Sequence, residues 1–301
     1  MDQNLLTNEV YGAYKPLLFS LAYRMLGSVM DAEDIVHEAF LALNTAEPDA
    51  IRNVKAYLCR IVTNRCLDLL KSSRHRREVY VGPWLPEPLL TEKDGPYESL
   101  AQQESLSTAY LLLLQQLSAV ERAVFLLREA WGYEYAEIAD MVGKSSANCR
   151  QIFRRARRGL EEQGGAIGET EERLPPASGE GSKEQLARLV SQFVQAISSG
   201  DTGLLLRTLA VDASAYTDGG GKTNAALRPI RGSDRVAMFL FSIYAKQPAD
   251  ASYRYADVGG EPGIVLYADG QPSTVLTFRA EQDRIADIYI VVNPEKLANV
   301  R

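Results

Sequence analysis

The chain has 301 residues, too long for one ordinary domain, so two or three domains are expected. Apolar residues make up 46% and charged residues 24% of it, which suits globular domains with adequate cores. No apolar run is long enough to predict a membrane-spanning helix. The net charge of -6 argues against a general polyanion binder, but that average conceals two strongly basic elements.

The N-terminal MDQNLLTNEV lacks the basic stretch and apolar core of a secretory signal, so a cytoplasmic protein is expected. Residues 9–44 show helical periodicity, with Tyr14, Leu17, Leu18, Leu21, Ala22 and Met25 on one stripe. Ile35, Val36, Ala39, Phe40 and Leu43 form a second stripe after Gly27 and Ser28. Asp31 and Asp34 place acids at a helix start, where they complement its dipole. A polar loop at 44–53 leads into a long helix predicted from about Val54 to Arg74. The segment 52–77 carries Arg52, Lys55, Arg60, Arg65, Lys71, Arg74, Arg76 and Arg77 against the single acid Asp68. Cys59, Cys66 and Cys149 sit in apolar-patterned segments without CxxC spacing and read as reduced small hydrophobes. His37 and His75 are the only histidines, so a His-rich metal site or a His-based triad is excluded. No metal or cofactor is expected.

Residues 79–99 hold four prolines and two glycines and cannot continue a helix, so they read as a linker in which Trp84 and Leu85 are apolar anchors. A helical block follows from 100. Ser118 with Glu121 three residues on forms a capping box before an apolar run. The segment YEYAEIADMVGKSSANCRQIFRRARRGL then has the pattern of a helix-turn-helix, with Gly143 at the turn and Ser145 capping the second helix. Spacing places Cys149, Phe153, Ala156 and Leu160 inward and Arg150, Gln151, Arg154, Arg155, Arg157 and Arg158 outward. Arginine can there read guanine edges, and glutamine adenine, in a major groove. Residues 163–182 are rich in Gly, Glu, Pro and Ser and read as a flexible linker. From 183 the pattern changes to helices, a Gly-rich loop, a helix at 232–245 and strand-like runs SYRYADV, GIVLYA, TVLTFRA and RIADIYIVV. An α+β domain with an antiparallel sheet is predicted.

GYEYAEIADMVGKSSANCRQIFRRARRGL resembles region 4 of the extracytoplasmic-function sigma factors, and DAEDIVHEAFLAL at 31–43 resembles their region 2. WLPEP at 84–88, DGGGK at 218–222 and NPEKL at 293–297 are similar to motifs of the SigJ-like subgroup, which carries a fused SnoaL-like cone. The resemblance implies a multidomain chain: a region 2 bundle at 1–78, the WLPEP linker at 79–99, a region 4 helix-turn-helix at 100–163, a second linker at 164–182 and a SnoaL-like α+β cone at 183–301. It implies promoter-directed transcription initiation with RNA polymerase core and no catalysis by the chain itself. Asp31, Glu33, Asp34 and Glu38 would face the β′ clamp helices, and region 4 would meet the β flap. Asn53, Lys55, Arg60, Asn64 and Arg65 would read the -10 element, with 44–53 as a base pocket, and Arg150, Gln151, Arg154, Arg155 and Arg158 the -35 element. Trp84, Pro86, Asp218, Gly219, Gly220, Gly221, Lys222, Asn293 and Pro294 would form an interdomain regulatory contact, taking the place of a separate anti-sigma factor.

Three departures from the family pattern stand out. Glu134 replaces a Ser or Thr cap, Ile152 replaces an outward arginine and so implies fewer phosphate contacts, and His37 replaces a glutamine. Other readings remain open. A lone helix-turn-helix regulator would share the second half, although residues 10–77 would then have no use. The cone could sense an unknown small ligand, or work as an enzyme through Asp218, Tyr216, Asp257 or Tyr267.

Overall fold

The computed structural model describes residues 3–47, 51, 53–77, 80–91, 106–162 and 180–300. The chain divides into two compact units, Met1–Glu78 with Tyr110–Pro175, and Val79–Ala109 with Pro176–Arg301. Residues 92–99 of the first predicted linker and 163–179 of the second lie outside the described residues.

The first unit contains α1 (Gln3–Leu26), α2 (Val29–Thr45), α3 (Val54–Arg77), α4 (Thr108–Leu114), α5 (Ala119–Glu129), α6 (Tyr135–Val142) and α7 (Ser146–Glu162). Most of both predicted stripes is buried, Leu18, Leu21, Ala22 and Met25 on α1 and Ile35, Val36, Ala39 and Phe40 on α2, while Tyr14, Leu17 and Leu43 are half-buried. Ser28 caps α2 by accepting the Asp31 amide at 3.2 Å. The Ser118–Glu121 capping box starts α5 as expected. Glu134 starts α6 without a hydroxyl because Glu137 reaches back to accept its amide at 2.9 Å. Gly143, at φ 63°, ends α6 in the left-handed conformation that a side chain disfavours.

The buried stripe of α7 is Cys149, Ile152, Ala156 and Leu160. This corrects the expectation that Ile152 takes an outward position and weakens phosphate contact: its side chain is in the core. Phe153 is half-buried instead, with its ring stacked 5.9 Å from Phe125 and edge-on to Tyr135.

Arg122 ties the first unit together. It is only 2% exposed. Nε donates to the Leu114 carbonyl at 2.9 Å, Nη2 to Leu117 at 3.3 Å and Nη1 to Met25. These carbonyls lie at or just past the ends of α4 and α1, where helical partners run out.

The second unit carries α8 (Glu180–Ser199), α9 (Thr202–Thr208), β1 (Leu209–Asp218), β2 (Ile230–Arg231), α10 (Ser233–Tyr244), β3 (Ser252–Val258), β4 (Glu261–Ala268), β5 (Gln271–Glu281), β6 (Arg284–Val291) and α11 (Pro294–Leu297). Its sheet has the order β2-β1-β6-β5-β4-β3. Helices packed against a sheet over a core that includes Phe193, Leu205, Leu240, Phe278 and Ile288 give the expected α+β cone.

The sheet is mixed, which corrects the antiparallel expectation: β1 runs parallel to β6. β1 itself was not foreseen, because LAVDASAYTD is rich in small and acidic residues and its register is interrupted between Leu209 and Ser214. The parallel pairing aligns Asp218 with Val291. The segments that follow β1 and β6, DGGGK and NPEKL, therefore leave the sheet at the same end. Antiparallel strands would have sent them to opposite ends.

Replacing Arg122 by Met takes the guanidinium donors from the Met25 and Leu117 carbonyls, while Leu114 keeps the Leu117 amide. The expected cost is about 3 kcal/mol or more, read as a lower urea midpoint of the first unit by circular dichroism.

Candidate nucleic-acid interface and linker hub

Asp218, at the last position of β1, is 0% exposed. A carboxylate there must find donors for about four lone-pair sites, and it does. Oδ1 accepts the Tyr80 hydroxyl at 2.6 Å and the Gly220 amide at 3.1 Å. Oδ2 accepts the Leu85 amide at 2.8 Å and the Lys296 ammonium at 2.8 Å. Lys296, only 8% exposed, also donates to the Leu85 carbonyl and lies 4.1 Å from the Trp84 ring centroid. Tyr80 in turn accepts the Asn293 amide nitrogen at 3.1 Å. Burial, reinforced by the hydrogen bond to Asp218, pushes the Tyr80 phenol above its ordinary range.

The glycines permit this closeness. A side chain at Gly219 would meet the Thr223 carbonyl, and one at Gly220, which has φ 59°, would meet Asn293. Gly221 faces Val81. Lys222 pairs with Glu295. Asn293 caps α11 through the Glu295 amide at 3.1 Å, with Pro294 in the first turn. Pro86 is buried and Trp84 half-buried. Of the residues expected at this contact, Gly220 bonds the Asp218 carboxylate directly, Trp84 and Asn293 reach it through Lys296 and Tyr80, and Lys222 pairs with Glu295 on α11.

Sequence reasoning missed Tyr80 and Lys296. The fourth residue of NPEKL was a usable signal, but lysine reads by default as exposed. It also missed a second anchor, in which Thr91 donates its amide to the Asp257 carbonyl at 2.9 Å and its hydroxyl pairs with the Asp257 carboxylate. There the Gly259 amide reaches the Leu89 carbonyl at 2.8 Å.

The basic faces lie in the first unit. On α7, Arg150, Gln151, Arg154, Arg155 and Arg158 are exposed. Arg150 and Arg128 flank the Tyr135 ring, with guanidinium carbons 5.3 and 4.8 Å from its centroid. Arg155 is held by Glu121 at 2.6 Å. Burial works against the Glu121 charge, but the Ser118 hydroxyl and amide and Arg155 outweigh it and keep the carboxyl below the usual range. Arg158 lies 3.8 Å from Glu162.

On α3, Arg60 and Asn64 are exposed one turn apart. Asn53 caps the helix by accepting the Ala56 amide at 3.1 Å. Arg65 pairs with Glu38 at 3.3 Å, and the Lys55 ammonium sits 5.6 Å from the Tyr133 ring centroid. On α2, Asp31, Glu33, Asp34 and Glu38 are all exposed, beside the buried Ala32, Ile35 and Val36. Residues 48–50 and 52 of the expected base pocket lie outside the described residues.

Residues 10–76 match the family Sigma-70 region 2, and residues 107–160 match Sigma-70, region 4. The ECF RNA polymerase sigma factor SigJ of Mycobacterium tuberculosis is 33% identical, over 95% of this chain and 91% of that protein. The probable ECF RNA polymerase sigma factor SigI of the same organism is 28% identical, over 100% of this chain and 98% of its own length. The crystal structure of M. tuberculosis SigJ aligns with a TM-score of 0.74 at 27% identity, covering 96% of this chain and 98% of that one.

The chain belongs to the extracytoplasmic-function sigma factors.

Region 2 of this sigma factor is therefore α1 to α3, and region 4 is α4 to α7. The C-terminal cone is α+β, and no helix among the described residues is long and apolar enough to cross a membrane. The residues weighed as acid–base groups are engaged elsewhere. Asp218 is the hub, Asp257 holds Thr91 and the Gly260 amide, Tyr216 stacks on Tyr289, and Tyr267 accepts Arg254 at 2.6 Å.

Lys296→Met should destabilise the second unit by about 3–5 kcal/mol, because it strands a buried carboxylate. The double variant Asp218→Asn, Lys296→Met should recover much of that loss, and paired unfolding curves measure both.

Proposed function

We propose that this sigma factor directs promoter-specific initiation through two helical readers, and that the cone governs them in cis by gripping the chain segment that joins them. Four hydrogen bonds converge on Asp218, two of them from Tyr80 and Leu85, which lie between region 2 and region 4 in sequence. This observation carries the reading. The segment cannot leave the cone without exposing the carboxylate of Asp218 and the ammonium of Lys296. The grip is thus a discrete state and not a graded drag.

In this reading Arg150, Gln151 and Arg154 contact the -35 duplex directly, while Arg155 must exchange Glu121 for DNA and Arg158 supports the phosphate contacts. Arg60, Asn64, Arg65, Lys55 and Asn53 serve the -10 element. Asp31, Glu33, Asp34 and Glu38 present carboxylates to the β′ clamp helices, and region 4 meets the β flap. Lys55 is engaged by Tyr133 of region 4, so separating the two regions on polymerase would free it for DNA. The cone does the work of an anti-sigma factor without catalysis. Its weighed acids and tyrosines are tied up in structure, which favours this role over an enzyme.

Run-off transcription with core polymerase tests the proposal. Arg150→Ala should lower output from promoters with a -35 element and spare output that depends on the -10 element alone. Tyr80→Phe, which removes the hydrogen bonds to Asp218 and from Asn293, and Trp84→Ala should each change output several-fold, the scale of a coupling of about 1–3 kcal/mol. Unchanged output from both linker variants, with circular dichroism like the parent, would remove the basis for control in cis. Failure of the parent protein to associate with core would remove the whole reading.

A further inference from the structure

A cavity of about 730 Å³ opens between α8, α10 and the sheet of the cone, within the roughly 300–1,000 Å³ that small-molecule sites occupy. Phe193, Leu240, Ile264, Leu276 and Ile290 form its apolar floor. Two hydroxyls in its wall are already committed to backbone. Thr217 donates to the Ala226 carbonyl at 3.0 Å, and Ser273 to Leu266 at 3.2 Å. Water gains few partners on such a floor, whereas an apolar body loses nothing there.

The charges around it have one sign. Among the described residues that line the cavity there is no Asp, Glu, His or Cys, and Lys246 is the single charged side chain. Lys246 is exposed and follows α10 by two residues, lining the cavity together with Gln247 and with Tyr244 at the end of the helix. The nearby acid Asp250 is turned to the Asp269 amide, which it accepts at 2.8 Å. The C-terminal end of α10 carries partial negative charge, which opposes an anion. Its last carbonyls are largely satisfied, however, with Phe241 accepting Ala245, Ile243 accepting Lys246 and Tyr244 accepting Gln247. A full ammonium charge outweighs what remains.

We propose that this cavity binds a long-chain carboxylate, with its tail along the apolar floor and its head at Lys246. The lining holds no carboxylate or imidazole, the usual general bases, so in this reading the molecule is bound without being turned over. The proposal is independent of the grip on residues 80–91, since no residue of the hub supplies the floor or the head-group contact.

Titration of the full-length protein with a fluorescent polyene fatty acid tests it, with a saturated fatty acid and the matching fatty alcohol as competitors. Saturable binding at micromolar concentration is expected, displaced by the acid better than by the alcohol. Lys246→Glu should weaken the acid several-fold, as reversal of a partly exposed ion pair does, and leave the alcohol unchanged. Ile197→Trp should fill the cavity and abolish both. Ser242→Trp, from the α10 wall, takes its place if the first variant fails to fold. Absence of saturable binding, or binding that the filling variants leave intact, overturns the site. Equal displacement by acid and alcohol overturns the assignment of the head group.

Discussion

A carboxylate with no solvent exposure lies at the end of β1, and much of the second unit follows from its requirements. An unpaired charge in that position would cost several kcal/mol, so Asp218 forces donors to converge from distant parts of the chain. Lys296 neutralises it, and Gly220 supplies an amide that only a tight turn can aim. Tyr80 and Leu85 complete the set. Replacing such a pair with well-packed apolar residues is often neutral for stability. Here the pair accepts a phenol from Tyr80 and a backbone amide from Leu85, both of the segment between regions 2 and 4.

The topology makes the convergence possible. DGGGK and NPEKL meet because β1 and β6 are parallel neighbours that end together. That pairing was not legible in the sequence, since β1 offers mostly small and acidic residues and lacks the alternating isoleucines of its partner β6. The motifs were visible as short patterns, and the structure gives each a physical task. The glycines allow close approach, Asn293 caps α11 while touching Tyr80, and the prolines keep the gripped segment extended. Tyr80 and Lys296 escaped notice because their burial depends on partners more than seventy residues away or across the hub. No local pattern records that.

The helical half was more legible. Periodicity located α1 to α3 and the helix-turn-helix, and the capping box at Ser118 was readable from residue types alone. Ile152 shows the limit of such reading. A one-position change in the inferred stripe moved Phe153 inward and Ile152 outward, although the fold does the reverse for Ile152. Arg122 shows another limit, because a buried arginine that donates to carbonyls at helix ends looks in sequence like any surface charge. Several residues expected to read DNA also have partners within the protein: Arg155 with Glu121, Arg65 with Glu38 and Lys55 with Tyr133. An exposed ion pair such as Arg65–Glu38 is worth about 1 kcal/mol or less, and an exposed cation–π contact such as Lys55–Tyr133 about the same.

Hydrogen exchange at the Leu85 amide reports most directly on the central claim that the buried carboxylate holds the segment between region 2 and region 4. In the parent protein this amide should exchange as slowly as the strands of the cone. In the double variant Asp218→Asn, Lys296→Met it should exchange much faster while β5 and β6 stay protected. Equal protection of Leu85 in both proteins would contradict the account.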